Sequence, residues 1–267
     1  MTVLTPIQAG MLVHCLKTPD SGADIEQMVA TLDHEVEPSA LAAAWQQLVT
    51  RHEAFRSRFE WAGLTRPRRV VEAAVRLPWL DEDWRSFDPA THAARLDAFL
   101  AADRTRGFDP AVAPLARAAL FRLADNRWQF VWTFHHILAD GQSYADLVTE
   151  GFDLCDAGPG GATPAPPDPP SFARFTDWLE ARLQTAGAEA SAFWRSRVGA
   201  MSAPTRLPLL AAAAPSGPIL RRERAITLDV PVTAALGATA RAAGATRNTA
   251  VQAAWALVLA WASGEPQ

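Results

Sequence analysis

The sequence predicts an α/β fold, a mixed sheet with helices packed against it, and three observations point there. Trp128, Phe130, Trp132 and Phe134 place an aromatic residue at every second position, the period of a strand with one buried face. Other segments carry apolar residues at the three- and four-residue spacing of one helical face, as at Leu41, Trp45 and Leu48. Clusters of Gly, Pro, Asp and Asn interrupt both periods, so strands and helices alternate along the chain.

Taken in order, Thr5 and Pro6 open a short helix through Leu16, with Thr5 as N-cap and Pro6 at the first helical position, where a missing N–H is no loss. Residues 25–32 predict a strand and 38–49 a helix. Residues 54–61 and 68–75 predict two strands joined by a turn at Gly63, and 91–104 a helix through Leu96, Phe99 and Leu100. Residues 115–123 and 128–134 pair across Asp125-Asn126 as core strands. A helix follows over 142–156.

The stretch 158–170 is so rich in Gly and Pro that it predicts a linker or surface crossing, and hence a lobe boundary. Residues 1–170 form the expected first lobe. Residues 171–267 are expected to hold connecting helices and the incomplete beginning of a second. Within the latter, 172–183 and 189–198 read as helices marked by Trp178 and Trp194, 203–218 as a proline-spaced loop, 219–228 as a strand and 232–243 as a helix. The last helix, from Ala250 to Trp261, is apolar on nearly every face, which predicts burial. Few residues follow it, so its cover is expected from a continuation of the chain or from another molecule, and the chain reads as cut short.

A chain of 267 residues with 49% hydrophobic content can bury one large core or two lobes. A formal charge of −4, a single lysine (Lys17) and no long basic run argue against nucleic acid as a partner. Cys15 and Cys155 lie far apart, with no Cys/His cluster at ligand spacing, so neither a metal site nor a disulfide framework is expected. The N-terminal residues lack the basic and apolar blocks of a signal peptide. No apolar run is long enough to span a bilayer, and a cytoplasmic location without membrane attachment is expected.

His135-His136-Ile137-Leu138-Ala139-Asp140-Gly141 follows the aromatic strand and precedes a helix, where a rigid scaffold exposes reactive groups. A chance match to HHxxxDG in a chain this long is on the order of one in a thousand. On this motif the chain resembles the condensation domains of nonribosomal peptide synthetases, whose fold is similar to that of chloramphenicol acetyltransferase. Other stretches agree. Residues 4–12, LTPIQAGML, look like the family's opening motif, and 51–59, RHEAFRSRF, are similar to its RHExLRTxF. Gly107-Phe108-Asp109 with Pro114-Leu115-Ala116-Arg117 resembles the segment before the central strands, 172–178 resembles the motif YxDFAxW, and 248–264 resembles the opening of the second lobe. Gln142 replaces an aromatic residue common after the motif's glycine. Phe172, Arg174 and Thr176 stand for tyrosine, aspartate and alanine.

The resemblance implies a chloramphenicol acetyltransferase-like two-layer sandwich, first lobe plus the start of the second. It also implies attack of an acceptor amine on the thioester of a donor, both carried on phosphopantetheine arms of carrier proteins in adjacent synthetase modules. No metal and no tightly bound cofactor are implied. An imidazole titrating near pH 6.5 can accept the proton that the nitrogen loses, or can position the amine by a hydrogen bond. His136 is the candidate for either role. His135 points to the opposite side of the strand and is assigned packing or tautomer fixing. Asp140 is expected to be structural, a buried carboxylate paired with Arg56, or else with Arg51 or Arg58. Gly141 is read as a backbone requirement at the turn. Ser143 has no nucleophile-elbow context and is read as a capping or helix-surface residue. Arg117 is read as a buried ion-pair member and the tryptophans as core. Competing readings are an epimerization domain, an acyltransferase using coenzyme A thioesters, or an inactive carrier-binding fragment.

Overall fold

The computed structural model describes residues 2–158, 169–201, 203, 205 and 225–264. The chain divides into two compact units, Met1–Gly187 and Ala188–Gln267. Seven strands belong to the first: β1 (Thr2–Val3), β2 (Ile25–Leu32), β3 (Ser57–Glu60), β4 (Arg68–Val71), β5 (Trp79–Asp83), β6 (Ala116–Ala124) and β7 (Arg127–His135). Its helices are α1 (Pro6–Lys17), α2 (Pro38–Arg51), α3 (His92–Arg106), α4 (Gly141–Ala157) and the first part of α5 (Phe172–Val198).

The main sheet runs β2-β7-β6-β5 and is mixed, with β5 parallel to β6 and the other pairs antiparallel. A smaller antiparallel sheet runs β1-β4-β3. The period-two pattern of β7 sorts its side chains to two faces. Trp128, Phe130, Trp132 and Phe134 join Leu41, Trp45, Leu48 and Leu147 of α2 and α4 in the principal core. Val131, on the other face, packs with Phe121 and Trp84 against Leu96, Phe99 and Leu100 of α3. Helices therefore lie on both faces of the sheet. Thr133, also on the α3 side, donates to Asp103 Oδ2 (2.6 Å). Asp103 is buried and ion-pairs with Arg117, whose guanidinium lies 4.2 Å from the centre of the Phe108 ring. That pair is the expected buried one. It pins α3 to β6 and β7.

Two helices are fixed by capped or small residues. Thr5 Oγ1 accepts from Gln8 N–H while Gln8 Oε1 accepts from Thr5 N–H, a capping box that fixes the start of α1 as Thr5-Pro6 predicted. On α4, Gly151 faces the Trp45 ring so closely that a Cβ there would lie 2.9 Å from it. The absent side chain sets the α2–α4 distance.

Several expectations need correction. The helices expected over 172–183 and 189–198 are one, α5, because 184–188 hold no proline and a lone Gly187 costs a helix only about 1 kcal/mol. The strands β1 and β5 have no counterpart among the expected elements. Of the strand expected over 219–228, residues 219–224 lie outside the described residues and 225–228 have no regular structure. The interior of the linker 158–170, residues 159–168, and most of the loop 203–218 also lie outside them. The tryptophans divide: Trp45, Trp84, Trp128 and Trp132 are buried, whereas Trp178 and Trp194 are exposed.

In the second unit, α6 (Val230–Ala242) and α7 (Arg247–Ser263) form a helical pair, capped by Asp229 and Thr246. The apolar helix α7, expected to be buried, has no buried residue among those described; Trp255 is 61% and Trp261 82% exposed. An all-round apolar surface cannot be covered by one neighbouring helix, so its burial is not achieved by the described residues.

Candidate active site

The strand β7 ends at His135 and α4 starts at Gly141, so residues 136–140 form a loop between the sheet and a capped helix. Four hydrogen bonds fix its path. His136 N–H donates to Asp24 O (2.8 Å), Leu138 N–H to His135 O (3.1 Å) and Ile137 N–H to His135 Nδ1 (3.1 Å). The fourth is unforeseen: Gln8 Nε2–H, reaching from α1, donates to Ile137 O (3.2 Å). Ile137 itself is buried with Leu4, Leu12, Phe59 and Leu115 beneath α1.

His135 is 1% exposed. Because its Nδ1 accepts from Ile137, the ring proton sits on Nε2, which is buried without a hydrogen-bond partner among the described residues. Burial pushes this imidazole down to about 4, against the pull of Asp24 and with a smaller push from His136. It is neutral near pH 7 and buried, whereas the neighbouring ring is partly open to solvent.

His136 is only half-buried. Its Nδ1–H donates to Ala139 O (2.8 Å), which leaves Nε2 as the nitrogen with the free lone pair. Two open cavities share His136, Ala139 and Asp140 as their common wall. One, of about 280 Å3, is also lined by Glu26, Gln27, Phe134 and Tyr144. The other, of about 460 Å3, lies against α1 and α5 and is lined by Ile7, Met11, Leu138, Phe172, Phe175 and Leu179 among others. The ring is thus accessible, with a chamber edged by Glu26 and Gln27 beside it and a second, mostly apolar one. Tyr144 lies face to face with Trp132 and Phe134, and burial raises its hydroxyl pKa, with Glu26 adding to the effect.

Asp140 is not the buried ion-pair member that was expected. It is exposed and serves as N-cap of α4, its Oδ1 accepting from Ser143 N–H (2.9 Å). Hydrogen bonds from Ser143, the backbone N–H first, hold its carboxyl below the usual range. Arg56, the expected partner, instead donates to the carbonyls of Thr50 and Glu72, because the turn before β3 aims it at the end of α2. The alternatives are also engaged elsewhere. Arg51 pairs with Glu150 (2.8 Å) and Arg58 with Glu60 and Glu72 (2.6 Å each). Gly141 needs no special backbone either. Its φ is not positive, and a Cβ would meet nothing within 4 Å, because the loop turns before it and it already lies in the first turn of α4. Ser143 is an exposed residue in that same turn.

Among the described residues no group of three His, Cys, Asp or Glu side chains could hold a metal ion, and no helix is long and apolar enough to cross a membrane. Sequence reasoning missed Gln8 and Tyr144 as part of the site. The spacing Thr5-x-x-Gln8 signals a capping box, but not the reach to Ile137.

The whole chain, residues 1–267, matches the family model described as Condensation domain. One of the proteins that make up the linear gramicidin synthase of Brevibacillus parabrevis is 37% identical over 265 residues, covering 99% of this chain but 5% of that protein. Bacitracin synthase 1 from Bacillus licheniformis is 27% identical over 257 residues, with 96% of this chain and 5% of that protein covered. The chain therefore spans a small fraction of the length of these curated relatives. Among solved structures, the first condensation domain of the calcium-dependent antibiotic synthetase, in complex with a substrate analogue, superposes with a TM-score of 0.77. Its identity is 23%, and 98% of this chain and 62% of that one are covered. The starter condensation domain of rhizomide synthetase gives 0.62 at 21% identity, covering 73% of this chain and 49% of that one. The fold is that of condensation domains.

Proposed function

This chain belongs to the condensation-domain family, and on that premise we propose that it forms an amide bond between a carrier-bound aminoacyl or peptidyl thioester and an acceptor amine during nonribosomal peptide synthesis. The observation that carries the reading is the state of His136. Its Nδ1–H is fixed on Ala139 O, its Nε2 lone pair is free, and the ring stands in the wall shared by two open chambers. Two reactants that approach from separate chambers meet at such a ring. His136 then accepts the proton of the attacking nitrogen or holds that nitrogen in line; His135, Asp140, Gly141 and Arg56 act through structure alone.

Substrates would arrive on phosphopantetheine arms of carrier proteins in adjacent modules, with no cofactor held by this chain. Residues 1–170 are assigned to the N-terminal lobe and 171–267 to the connecting helices and the opening of the C-terminal lobe. The 62% coverage of the antibiotic-synthetase domain supports that assignment. A cytoplasmic location belongs to the same proposal.

The test uses the full-length protein that carries this sequence, with donor and acceptor carriers loaded with aminoacyl thioesters. Amide product should accumulate, and His136→Ala should lower its rate by roughly 10²- to 10⁴-fold. An unchanged rate in the variant removes His136 from the chemistry. Racemization of a loaded donor in place of amide formation assigns the chain to epimerization instead.

A further inference from the structure

We propose that Gln8 is a positioning residue for His136, holding the 136–140 loop so that the imidazole keeps one tautomer; the inference rests on the function proposed above. Three bonds converge on the Gln8 side chain and backbone. Its Oε1 accepts from Thr5 N–H and its N–H donates to Thr5 Oγ1, which locks the amide onto the first turn of α1. The remaining donor, Nε2–H, reaches Ile137 O (3.2 Å), the carbonyl that follows His136 in the chain. The amide orientation is settled by its two partners, since one is a donor and the other an acceptor.

The tie bears on the imidazole through a short path. The ring's Nδ1–H is held by Ala139 O, two residues past Ile137 in the same loop. The other bonds that anchor this part of the loop act on N–H groups, those of His136, Ile137 and Leu138. Gln8 ties the carbonyl side of Ile137 to another element. Without that tie the Ile137–Leu138 peptide plane is held at its N–H end alone, by the bond from Leu138 N–H to His135 O (3.1 Å), so it can tilt and Ala139 O loses its aim at Nδ1. The ring then shares its proton between the two nitrogens, and the fraction with a free Nε2 lone pair falls.

Gln8→Glu separates this role from helix capping. A glutamate still accepts from Thr5 N–H, as in the common capping box, but its carboxylate cannot donate to Ile137 O. In the full chain, long-range ¹H–¹⁵N spectra of the histidine rings should show His136 as the Nδ1–H form in the wild type and as a mixture of tautomers in Gln8→Glu. The melting temperature should be little changed. Gln8→Met, which also lacks the donor and adds no charge, should give the same mixture. Thr5→Ala removes the cap and keeps the donor, so it should lower the melting temperature while leaving the His136 signals in place. In the full-length protein, Gln8→Glu should lower kcat roughly 10- to 100-fold, the scale of a misplaced catalytic group, with KM within about twofold. A His136 spectrum unchanged in the Gln8 variants overturns the proposal, as does a Thr5→Ala spectrum shifted as far as theirs. Absence of amide formation in the wild type would instead defeat the functional reading and leave the tautomer measurement standing.

Discussion

Acidification should destabilise this protein through the buried ring of His135. The ring titrates at about 4 in the folded chain, because burial disfavours its charged form, and near 6.5 in an unfolded one. Between those values the unfolded state binds the extra proton and the folded state does not, so stability falls as pH falls. The contribution is fully present above pH 6.5 and exhausted below about pH 4. At about 1.4 kcal/mol per pH unit, the gap amounts to roughly 3 kcal/mol in all and about 2 kcal/mol by pH 5. Urea unfolding at pH 7, 6, 5 and 4.5, compared with His135→Asn, isolates this residue. The asparagine can still accept from Ile137 N–H, and every other titrating group is common to both proteins. The variant should carry a constant offset and lose the extra slope. Parallel curves, within about 0.5 kcal/mol across that range, would refute the assignment of a neutral buried ring.

Two further substitutions probe the scaffold around the site. Gly151→Ala pushes a methyl group to 2.9 Å from Trp45, a ring already wedged against Phe130 and Phe152 at centroid distances of 4.6 and 4.9 Å. The overpacking cost of about 1–3 kcal/mol should exceed the roughly 1 kcal/mol gained in helix propensity, and a raised melting temperature would contradict it. Asp140→Ala removes an exposed N-cap and should cost about 1 kcal/mol in denaturant unfolding, whereas a loss of roughly 3–5 kcal/mol would reveal a buried ion pair and overturn the capping role.

What can be read from the sequence is what a short window contains. The aromatic alternation of β7, the Thr5-Pro6 helix start and the strand–loop–helix setting of His136 each depend on neighbours within a few residues. β5 is hidden from such a window because Asp81, Glu82 and Asp83 carry no apolar alternation; it is a strand through its pairing with β6, not through its own pattern. The partner expected for Asp140 fails for a related reason. Arg51, Arg56 and Arg58 lie within a few residues of one another, and only the packing of α2 against α4 and the turn into β3 decides which acceptor each one meets. The Gln8–Ile137 bond joins positions 129 residues apart in the chain, beyond any local signal. Separate sheets and the depth of His135 likewise emerge only from the assembled core.

The acidic edge of the main sheet has its own consequence. An outermost strand presents a free row of backbone donors and acceptors, which a strand from a neighbouring copy could extend. Here, among the described residues, that row carries the exposed side chains of Asp81, Glu82 and Asp83, the last paired with Arg85 (2.7 Å), so the edge is a charged one. A charged edge strand of this kind disfavours the stitching together of sheets from neighbouring copies.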